Sequence, residues 1–318
     1  MPDITYGSVC SGIEAATQAW HPLGMRAAWF AEIEPFPSAV LAHHYPDVPN
    51  HGDMTKLAAL VLAGKIPAPD VLVGGTPCQA FSVAGMREGL TDPRGALTIK
   101  YVELADAVDY VRAGQRKPAS VIVWENVPGV LSDKGNAFGC FLGALAGEGC
   151  ELQPPGKKWQ DAGCVYGPKR TIAWRVLDAQ YFGLAQRRRR VFVVASARDG
   201  FDPTEVLFER ESTRRDSPPG RSAEFALHPT LTAQGGGSLD DREAYVLECE
   251  GVRRTSVIEW ERCQGFPDDY TLIPWRGKCA SECPDGPRYK AIGNSKAVTV
   301  VRWIGRRLLH QLKTSRIG

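Results

Sequence analysis

The chain has 318 residues, of which 43% are hydrophobic and 23% charged, and its formal net charge is +2. This length and apolar content exclude a disordered or fibrous protein, and they predict one large α/β core with a smaller second lobe. No run of about eighteen apolar residues occurs, and residues 1–4 lack the basic and apolar pattern of a secretory signal. We therefore expect a cytoplasmic protein without a membrane partner.

Strand and helix patterns alternate through the first part of the chain. Apolar runs predict strands at 4–9, 25–33, 71–73 and 121–124. Helical spacing predicts helices at 14–20, 35–44, 97–112 and 138–146. This βαβα order indicates a parallel, doubly wound sheet that binds ligands at the carboxyl ends of its strands.

From about residue 196 the alternation stops. Residues 216–220 and 234–238 are rich in turn-forming residues, and the apolar runs between them are short. We predict a smaller irregular domain over 196–284. A strong helical pattern at 297–309 predicts a final helix that packs back on the first domain, which would then comprise 1–195 and 285–318.

The nine cysteines are odd in number and follow no framework spacing. Such a distribution is typical of reduced thiols in an intracellular protein, not of disulfides. The spacing of Cys279 and Cys283 suggests zinc, but no second pair of Cys or His stands close by. We expect no metal site.

Positive charge is concentrated toward the carboxyl end. Residues 1–185 carry 15 Lys and Arg against 18 Asp and Glu, whereas residues 186–318 carry 23 against 18. Four consecutive arginines at 187–190 sharpen this contrast, which favours a surface that faces phosphates. A solvated charged surface is the alternative interpretation.

A thiol and an acid follow two of the predicted strands. Cys78 comes after the strand at 71–73, on a turn shaped by two glycines and a proline, and Glu125 ends the strand at 121–124. A free cysteine is usually a small buried apolar residue, and a lone glutamate can be a helix cap. Together at matching strand ends, they predict a nucleophile and an acid that face one pocket.

The first strand leads into a glycine turn that favours a nucleotide-like ligand. The turn differs from the dinucleotide G-x-G-x-x-G pattern because Glu14 stands at a glycine position, which disfavours a pyrophosphate. Glu32, after the second strand, is placed to bind ribose hydroxyls or to act as a helix amino-terminal charge. Asp53 and Met54 are placed to contact an adenine edge.

Together these segments resemble the DNA (cytosine-5)-methyltransferase family, and the final stretches are similar to its phage and prophage members. The similarity spans nearly the whole chain in the family's order. The segments that carry it are Cys10-Ser11-Gly12-Ile13, Gly74-Gly75-Thr76-Pro77-Cys78-Gln79-Ala80-Phe81-Ser82, Glu125-Asn126-Val127, Gln186-Arg187-Arg188-Arg189-Arg190, Gln264-Gly265-Phe266-Pro267-Asp268 and Gly293-Asn294-Ser295.

The resemblance implies a doubly wound, Rossmann-like class I S-adenosylmethionine-dependent methyltransferase sheet with a smaller target-recognition domain. It also implies that the Cys78 thiolate adds to carbon 6 of a cytosine, that Glu125 holds or protonates N3, and that Arg188 lies near the cytosine O2. Methyl transfer to carbon 5 and elimination of the sulfur complete the reaction. The implied catalytic residues are Cys78, Gln79, Glu125, Arg188 and Arg190.

The implied cofactor is S-adenosylmethionine. The residues that the resemblance implies for cofactor binding are Cys10, Gly12, Ile13, Glu32, Ile33, Asp53, Met54, Pro77, Leu97, Asn294 and Ser295. The chain departs from the pattern at three positions. Many members have phenylalanine where this chain has Cys10, glycine where it has Glu14, and a large residue where it has Thr76.

The implied partner is double-stranded DNA, bound by a monomer. A base inside a duplex hides the face of its ring, so the target cytosine must swing out at a cost of roughly a few kcal/mol. Residues 79–95 resemble the segment that closes over DNA, and residues 228–232 resemble the recognition element. The implied DNA-binding residues are Ser82, Arg87, Arg94, Thr230, Leu231, Gln234, Arg253 and Arg254.

Two other functions are consistent with these residues. An RNA cytosine methylase is one, because a tRNA-modifying branch shares the fold and the pair of thiol and acid, although the separate recognition lobe favours DNA. A catalytically silent DNA-binding protein is the other, and intact Cys78, Glu125 and Arg188 argue against it.

Overall fold

The computed structural model describes residues 4–76, 93–209, 230–231, 245–248 and 251–314. Within them, the strands are β1 (Thr5–Val9), β2 (Arg26–Ala31), β3 (Val71–Gly74), β4 (Val121–Asn126), β5 (Ala162–Tyr166), β6 (Thr171–Asp178), β7 (Arg189–Ser196), β8 (Tyr245–Glu248) and β9 (Gly251–Arg254). The first seven form one sheet in the order β2-β1-β3-β4-β7-β6-β5, and β8 pairs with β9 alone.

Helices cover both faces of this sheet. In the described part of the chain they are α1 (Ala15–Trp20), α2 (Pro35–His44), α3 (Leu57–Leu62), α4 (Pro93–Gly114), α5 (Ala137–Ala146), α6 (Pro203–Leu207), α7 (Val257–Gln264), α8 (Asp285–Asn294) and α9 (Val298–Thr314). Every strand and helix predicted for the first part of the chain is confirmed. Sequence patterns missed α3, which is short, and the strands β5, β6 and β7.

The sheet is mixed, which corrects the expectation of a parallel one. Strands β2, β1, β3 and β4 are parallel, whereas β7, β6 and β5 each run antiparallel to the preceding strand in the sheet. The reason is loop length: residues 167–170 join β5 to β6 and residues 179–188 join β6 to β7. Both are shorter than the dozen or so residues that a parallel crossover needs. The predicted doubly wound α/β class is confirmed.

Two apolar clusters fill the space between the sheet and its helices. On one face, α1 packs against α9, and the Trp20 indole donates a hydrogen bond of 2.9 Å to the carbonyl of Val301. On the other face, Leu57 of α3, Tyr101 of α4 and Phe141 of α5 are fully buried. The predicted return of the final helix to the first domain is confirmed.

The elements after β7 share the first of these clusters. Val206 of α6 and Val257 and Trp260 of α7 are buried in it together with residues of α1 and α9. The division of the chain into domains at 195 and 285 stays a prediction.

A buried polar network fixes α8 against α7. Glu261 of α7 is fully buried, and its Oε1 accepts hydrogen bonds from the amide and the hydroxyl of Thr271 at 2.8 and 2.5 Å. Arg288 of α8 donates to the same hydroxyl at 3.0 Å and lies 3.7 Å from the carboxylate. Because buried charges are costly unless paired, this network holds α8 in one place, and α8 ends at Asn294.

A candidate active site at the carboxyl ends of the parallel strands

A cavity of about 1270 Å³ opens where the four parallel strands end. Residues that directly follow or end β1, β2, β3 and β4 line it, as expected for a doubly wound sheet. It brings together many of the residues predicted from the sequence. Those that line it are Cys10, Gly12, Glu32, Ile33, Asp53, Met54, Leu97, Glu125, Arg188, Arg190 and Asn294.

The turn after β1 has an unusual backbone. Cys10, Gly12 and Glu14 all have positive φ, at 46°, 58° and 61°. Such angles are costly for residues with a side chain and persist only where the surroundings enforce them. Ile13 has its side chain in the core, and its carbonyl accepts a hydrogen bond of 2.8 Å from Tyr270. Ile13 therefore presents no side chain to the cavity.

Glu14 explains how this turn is held. Its buried carboxylate accepts hydrogen bonds from the hydroxyl of Ser8 and from the amide and hydroxyl of Thr17, at 3.0 and 2.6 Å for the last two. The Thr17 hydroxyl in turn accepts from Tyr6 at 2.8 Å. Burial raises the pKa of Glu14, although these donors favour its charged form. The side chain thus occupies the space beneath the turn and caps α1.

Substitution of Glu14 by glutamine should make the free energy of unfolding less dependent on pH. Because the pKa of Glu14 is raised in the folded state, its stabilising contribution is present below the pKa of the unfolded chain and is lost as pH rises through the folded pKa. Urea unfolding at pH 5 to 8 should show that wild-type stability falls more steeply than that of Glu14→Gln. Parallel curves would contradict a raised pKa.

One end of the cavity is suited to a nucleoside. The carboxylate of Glu32 accepts hydrogen bonds from the amides of Gly12 and Glu34 at 2.7 and 2.8 Å, so its position is set by backbone. Ile33 is 72% exposed and offers an apolar surface for a base. Cys10 lies with its sulfur 3.6 Å from that of Met54. Burial and the neighbouring Glu32 raise the pKa of the Cys10 thiol to about 11, so it stays neutral near pH 7.

At the other end, Glu125 faces the cavity with a carboxylate that is only partly satisfied. Its Oε1 is buried and makes no hydrogen bond within the described residues, and the nearest cation is Arg190, whose Nε is 3.5 Å away. Burial lowers the pKa of Arg190, while Glu125 opposes that shift. An unsatisfied buried oxygen is costly, which points to a partner that arrives with the substrate.

Arg188 is buried beside this pair. Its guanidinium donates to three carbonyls: Leu231 at 3.2 Å, Gly293 at 3.1 Å and Ser295 at 2.6 Å. Its Nε has no hydrogen-bond partner in the described part of the chain. Burial and the charge of Arg190 lower the pKa of Arg188 to about 9, with Glu125 acting in the opposite direction. The free Nε–H is a donor available to a ligand.

Two glutamines hold the backbone that binds Arg188. Gln186 is fully buried and donates to the side chain of Gln264 at 2.7 Å and to the carbonyl of Cys263 at 2.5 Å. Gln264 donates in turn to the carbonyls of Ile292 and Ser295. Ser295 does not line the cavity, so it contributes through its backbone. The three sequence segments at 186–190, 264–268 and 293–295 therefore meet at the end of α8.

Asn126 and Thr76 stand in the motif segments, but the sequence alone predicts no role for either. Asn126 donates to the carbonyl of Thr76 at 2.9 Å. The Thr76 hydroxyl, buried, contacts Thr98 at 2.7 Å and accepts from the Trp124 indole at 3.0 Å. These bonds fix the chain where it leaves β3. The place of Asn126 beside Glu125 in a motif was the available signal.

The predicted DNA-binding residues are spread around this site. Thr230 donates to the carbonyl of Arg187 at 2.5 Å, and Leu231 packs in the core with only its carbonyl toward Arg188. Arg253 forms an ion pair of 2.9 Å with Glu259, the residue that completes the capping box of α7. Arg254 is exposed.

Several predicted residues lie outside the described parts of the structure. They are Pro77, Cys78, Gln79, Ser82, Arg87 and Gln234. Arg94 is in the first turn of α4, but its side chain is likewise outside the description.

Within the described residues, no group of three or more His, Cys, Asp or Glu residues is arranged to hold a metal ion. In the same parts of the chain, no helix combines the length and apolar character needed to cross a bilayer.

Comparison with known sequences gives one family and several relatives. The family model described as C-5 cytosine-specific DNA methylase matches residues 4–219 and 204–310. A DNA N-6-adenine-methyltransferase of Escherichia phage P1 is 43% identical over 462 aligned residues, which cover 97% of this chain but only 61% of that relative. The type II methyltransferases M2.BsuMI of Bacillus subtilis and M.MspI of Moraxella sp are 29% and 25% identical. Those alignments cover 95% and 98% of this chain, and 74% and 72% of the relatives.

Solved structures share the fold. The Entamoeba histolytica methyltransferase EhMeth superposes with a TM-score of 0.66 at 13% identity, over 98% of this chain and 99% of that one. The S. pombe Dnmt2 methyltransferase superposes with a TM-score of 0.67 at 15% identity, over 99% of each chain. At such low identity these likenesses establish the architecture alone.

Proposed function

The chain belongs to the family of C-5 cytosine-specific DNA methylases, and from that premise we propose that it transfers a methyl group from S-adenosylmethionine to carbon 5 of a cytosine in double-stranded DNA. The observation that carries the proposal is the shared cavity. Glu125, Arg188 and Arg190 line one end of it, and Glu32, Asp53 and Met54 line the other. A reacting base and a nucleoside cofactor therefore have adjoining places.

The residues at the nucleoside end fit S-adenosylmethionine. Glu32 offers carboxylate oxygens for ribose hydroxyls, and the exposed Ile33 offers an apolar face for adenine. Cys10, which stays a neutral thiol, forms an apolar wall beside Met54. When bound, the cofactor supplies an electrophilic methyl group.

The chemistry at the other end needs a nucleophile and charge stabilisation. We assign Cys78 as the nucleophile: its sulfur adds to carbon 6 and the electron pair of the ring becomes available at carbon 5. After methyl transfer, loss of the carbon 5 proton expels the sulfur and restores the ring. Thr76, held by Asn126 and Thr98, is the last described residue before Cys78 and lines the cavity.

Glu125 and Arg188 stabilise the charge that develops on the ring during sulfur addition. Glu125 faces N3 with its unsatisfied oxygen, and the free Nε–H of Arg188 faces the carbonyl oxygen O2. The Oε1 atom of Glu125 and the Nε atom of Arg188 are both buried. Electrostatic interactions are stronger in such an environment than in water. Arg190, 3.5 Å from Glu125, orients the carboxylate.

The substrate class and the modified base are tested together by nucleoside analysis. We expect expression in a host without endogenous methylases to add 5-methyldeoxycytidine to its DNA, measured by mass spectrometry of digested DNA and tRNA. The same digest reports N6-methyladenine, the product that the name of the phage P1 relative specifies for that protein. Bisulfite sequencing then locates the modified cytosine.

Each other outcome of that digest contradicts the proposal in a different way. Methylcytidine confined to tRNA would indicate an RNA methylase, and N6-methyladenine alone would indicate another reaction. The absence of any new modified base would support a silent DNA-binding protein. Size-exclusion chromatography with light scattering checks the expectation that the enzyme acts as a monomer.

A further inference from the structure

Lys296 is a buried cation that the proposed reaction does not use. It follows the segment Gly293-Asn294-Ser295 at the end of α8, and only 9% of its surface is exposed. Its Nζ lies 3.5 Å from the position that a Cβ would take on Gly75, and Oε2 of Glu125 lies 3.2 Å from the same position. Because glycine has no side chain, the ammonium and the carboxylate face the same gap beside Gly75.

Two acids are candidates for the partner of this ammonium. Burial raises the pKa of Glu14, and the positive charge of Lys296 is among the groups that oppose this shift. Glu14 already accepts three hydrogen bonds from Ser8 and Thr17. In contrast, Oε1 of Glu125 is buried and has no hydrogen bond within the described residues. Because a buried charge is costly unless it is compensated, Glu125 gains more from a nearby cation.

Two cations approach the Glu125 carboxylate from different parts of the chain. Arg190, on β7, has its Nε 3.5 Å from Oε1. Lys296 comes from the end of α8 and approaches through the gap beside Gly75, on the side of Oε2. Opposite charges attract more strongly in such a buried place than in water. The carboxylate is thus attracted at both of its oxygens, and each attraction restricts its rotation.

We infer that Lys296 is a positioning residue for Glu125, an inference that rests on the proposed function. Attraction by the ammonium draws Oε2 toward Gly75 and so turns Oε1 toward the cavity, where N3 of the cytosine would lie. Arg190 alone would draw Oε1 away from the base, because it lies on the side of that oxygen. Within the described residues Lys296 does not line the cavity, so it acts through Glu125 and not by contact with the base.

A double-substitution cycle on Lys296 and Glu125 tests the inference. Lys296→Met keeps the length and apolar stem of the side chain and removes its charge. We expect it to lower the single-turnover methylation rate by about 10- to 100-fold, the usual effect of losing an interaction with a charged group. In a Glu125→Gln background the same substitution should lower the rate by less than about 3-fold, because the charge that Lys296 positions is already absent.

Three further measurements separate positioning from a merely structural role. Lys296→Arg keeps the positive charge and should lower the rate by less than about 5-fold. Titration calorimetry should give affinities of Lys296→Met for S-adenosylhomocysteine and duplex DNA within about 3-fold of the wild type, because Lys296 does not line the cavity. Lys313→Met, at an exposed position on α9, should change neither rate nor affinity.

The ligand-free protein gives a readout that does not depend on activity. Removal of one member of a pair of buried opposite charges leaves the other uncompensated. The urea midpoint of Lys296→Met should therefore fall in the wild-type background and fall less in the Glu125→Gln background. A Glu14→Gln background should reduce the fall by a smaller amount, because Glu14 has other partners.

The possible results separate this inference from the proposed function. An equal loss of rate from Lys296→Met in the wild-type and Glu125→Gln backgrounds would overturn the inference. So would a rate for Lys296→Arg as low as that of Lys296→Met, or a parallel loss of S-adenosylhomocysteine affinity. Stronger coupling to Glu14 than to Glu125 would make Lys296 a support of the turn after β1 and overturn it as well. If the wild-type protein methylated no cytosine, the proposed function itself would fall, and the unfolding cycle would still report whether Lys296 and Glu125 interact.

Discussion

Replacement of Cys78 by alanine is expected to lower the rate of DNA methylation by more than about 10⁴-fold, because it removes the group that we assign to form the covalent bond to carbon 6. DNA and S-adenosylhomocysteine should still bind with affinities within a few fold of the wild type. The measurement is transfer of radiolabelled methyl groups to duplex DNA under single-turnover conditions. It tests the residue on which the proposed reaction depends most.

The covalent step has its own readout. Duplex DNA that contains 5-fluorocytosine should trap wild-type protein in an adduct that survives denaturation, because fluorine at carbon 5 cannot leave as a proton does. Cys78→Ala should form none. Cys164→Ala is a matched control, since Cys164 is exposed on β5 at the far edge of the sheet. An adduct that persists in Cys78→Ala would assign the nucleophile to another residue.

Glutamine at position 125 is expected to lower turnover by about 10²- to 10⁴-fold, the usual contribution of acid–base catalysis. The amide has nearly the same shape as the carboxylate, so the contact with Arg190 loses its charge but the side chain keeps its place. The carboxylate is needed mainly while charge develops on the ring. The affinities for DNA and cofactor should therefore change by less than about 5-fold.

The decisive comparison for Glu125→Gln is between rate and affinity. Single-turnover rates at saturating DNA report the chemical step, and fluorescence anisotropy of labelled duplex reports binding. Glu103→Gln is the control, because Glu103 pairs with Lys100 on an exposed part of α4 and is absent from the cavity. Equal losses of rate and affinity in Glu125→Gln would show that Glu125 serves binding and not catalysis.

The predictable part of the fold followed from local patterns. Apolar runs located β1 to β4, and helical spacing located α1, α2 and α4 between them, because burial of one face dictates the period of apolar residues. The same patterns placed Glu32 and Glu125 directly after or at the end of strands. Parallel strands end at one edge, so sequence alone brought these residues to one cavity.

Local sequence patterns could not predict the direction of β5, β6 and β7 in the sheet. Strands β5 and β6 carry partly exposed residues, and their antiparallel pairing follows from the length of their connections. From its charge alone, the arginine run at 187–190 predicts a solvated or phosphate-facing surface, whereas the resemblance places Arg188 near the cytosine O2. In the structure its second member is buried, because three carbonyls and the cavity surround it.

By itself, the sequence determined the class of fold, the family and the identity of the chemical groups, since each depends on residue types at short separations along the chain. Tertiary structure alone decided which buried polar side chains are fixed by hydrogen bonds and which have atoms without a partner among the described residues. Gln186 meets Gln264 across 78 positions, and Arg188 meets the carbonyl of Ser295 across 107. Lys296 reaches Gly75 across an even longer separation. Contacts of this kind are set by the packing of α7, α8 and the sheet around one core, and that packing arises only when the whole chain is folded.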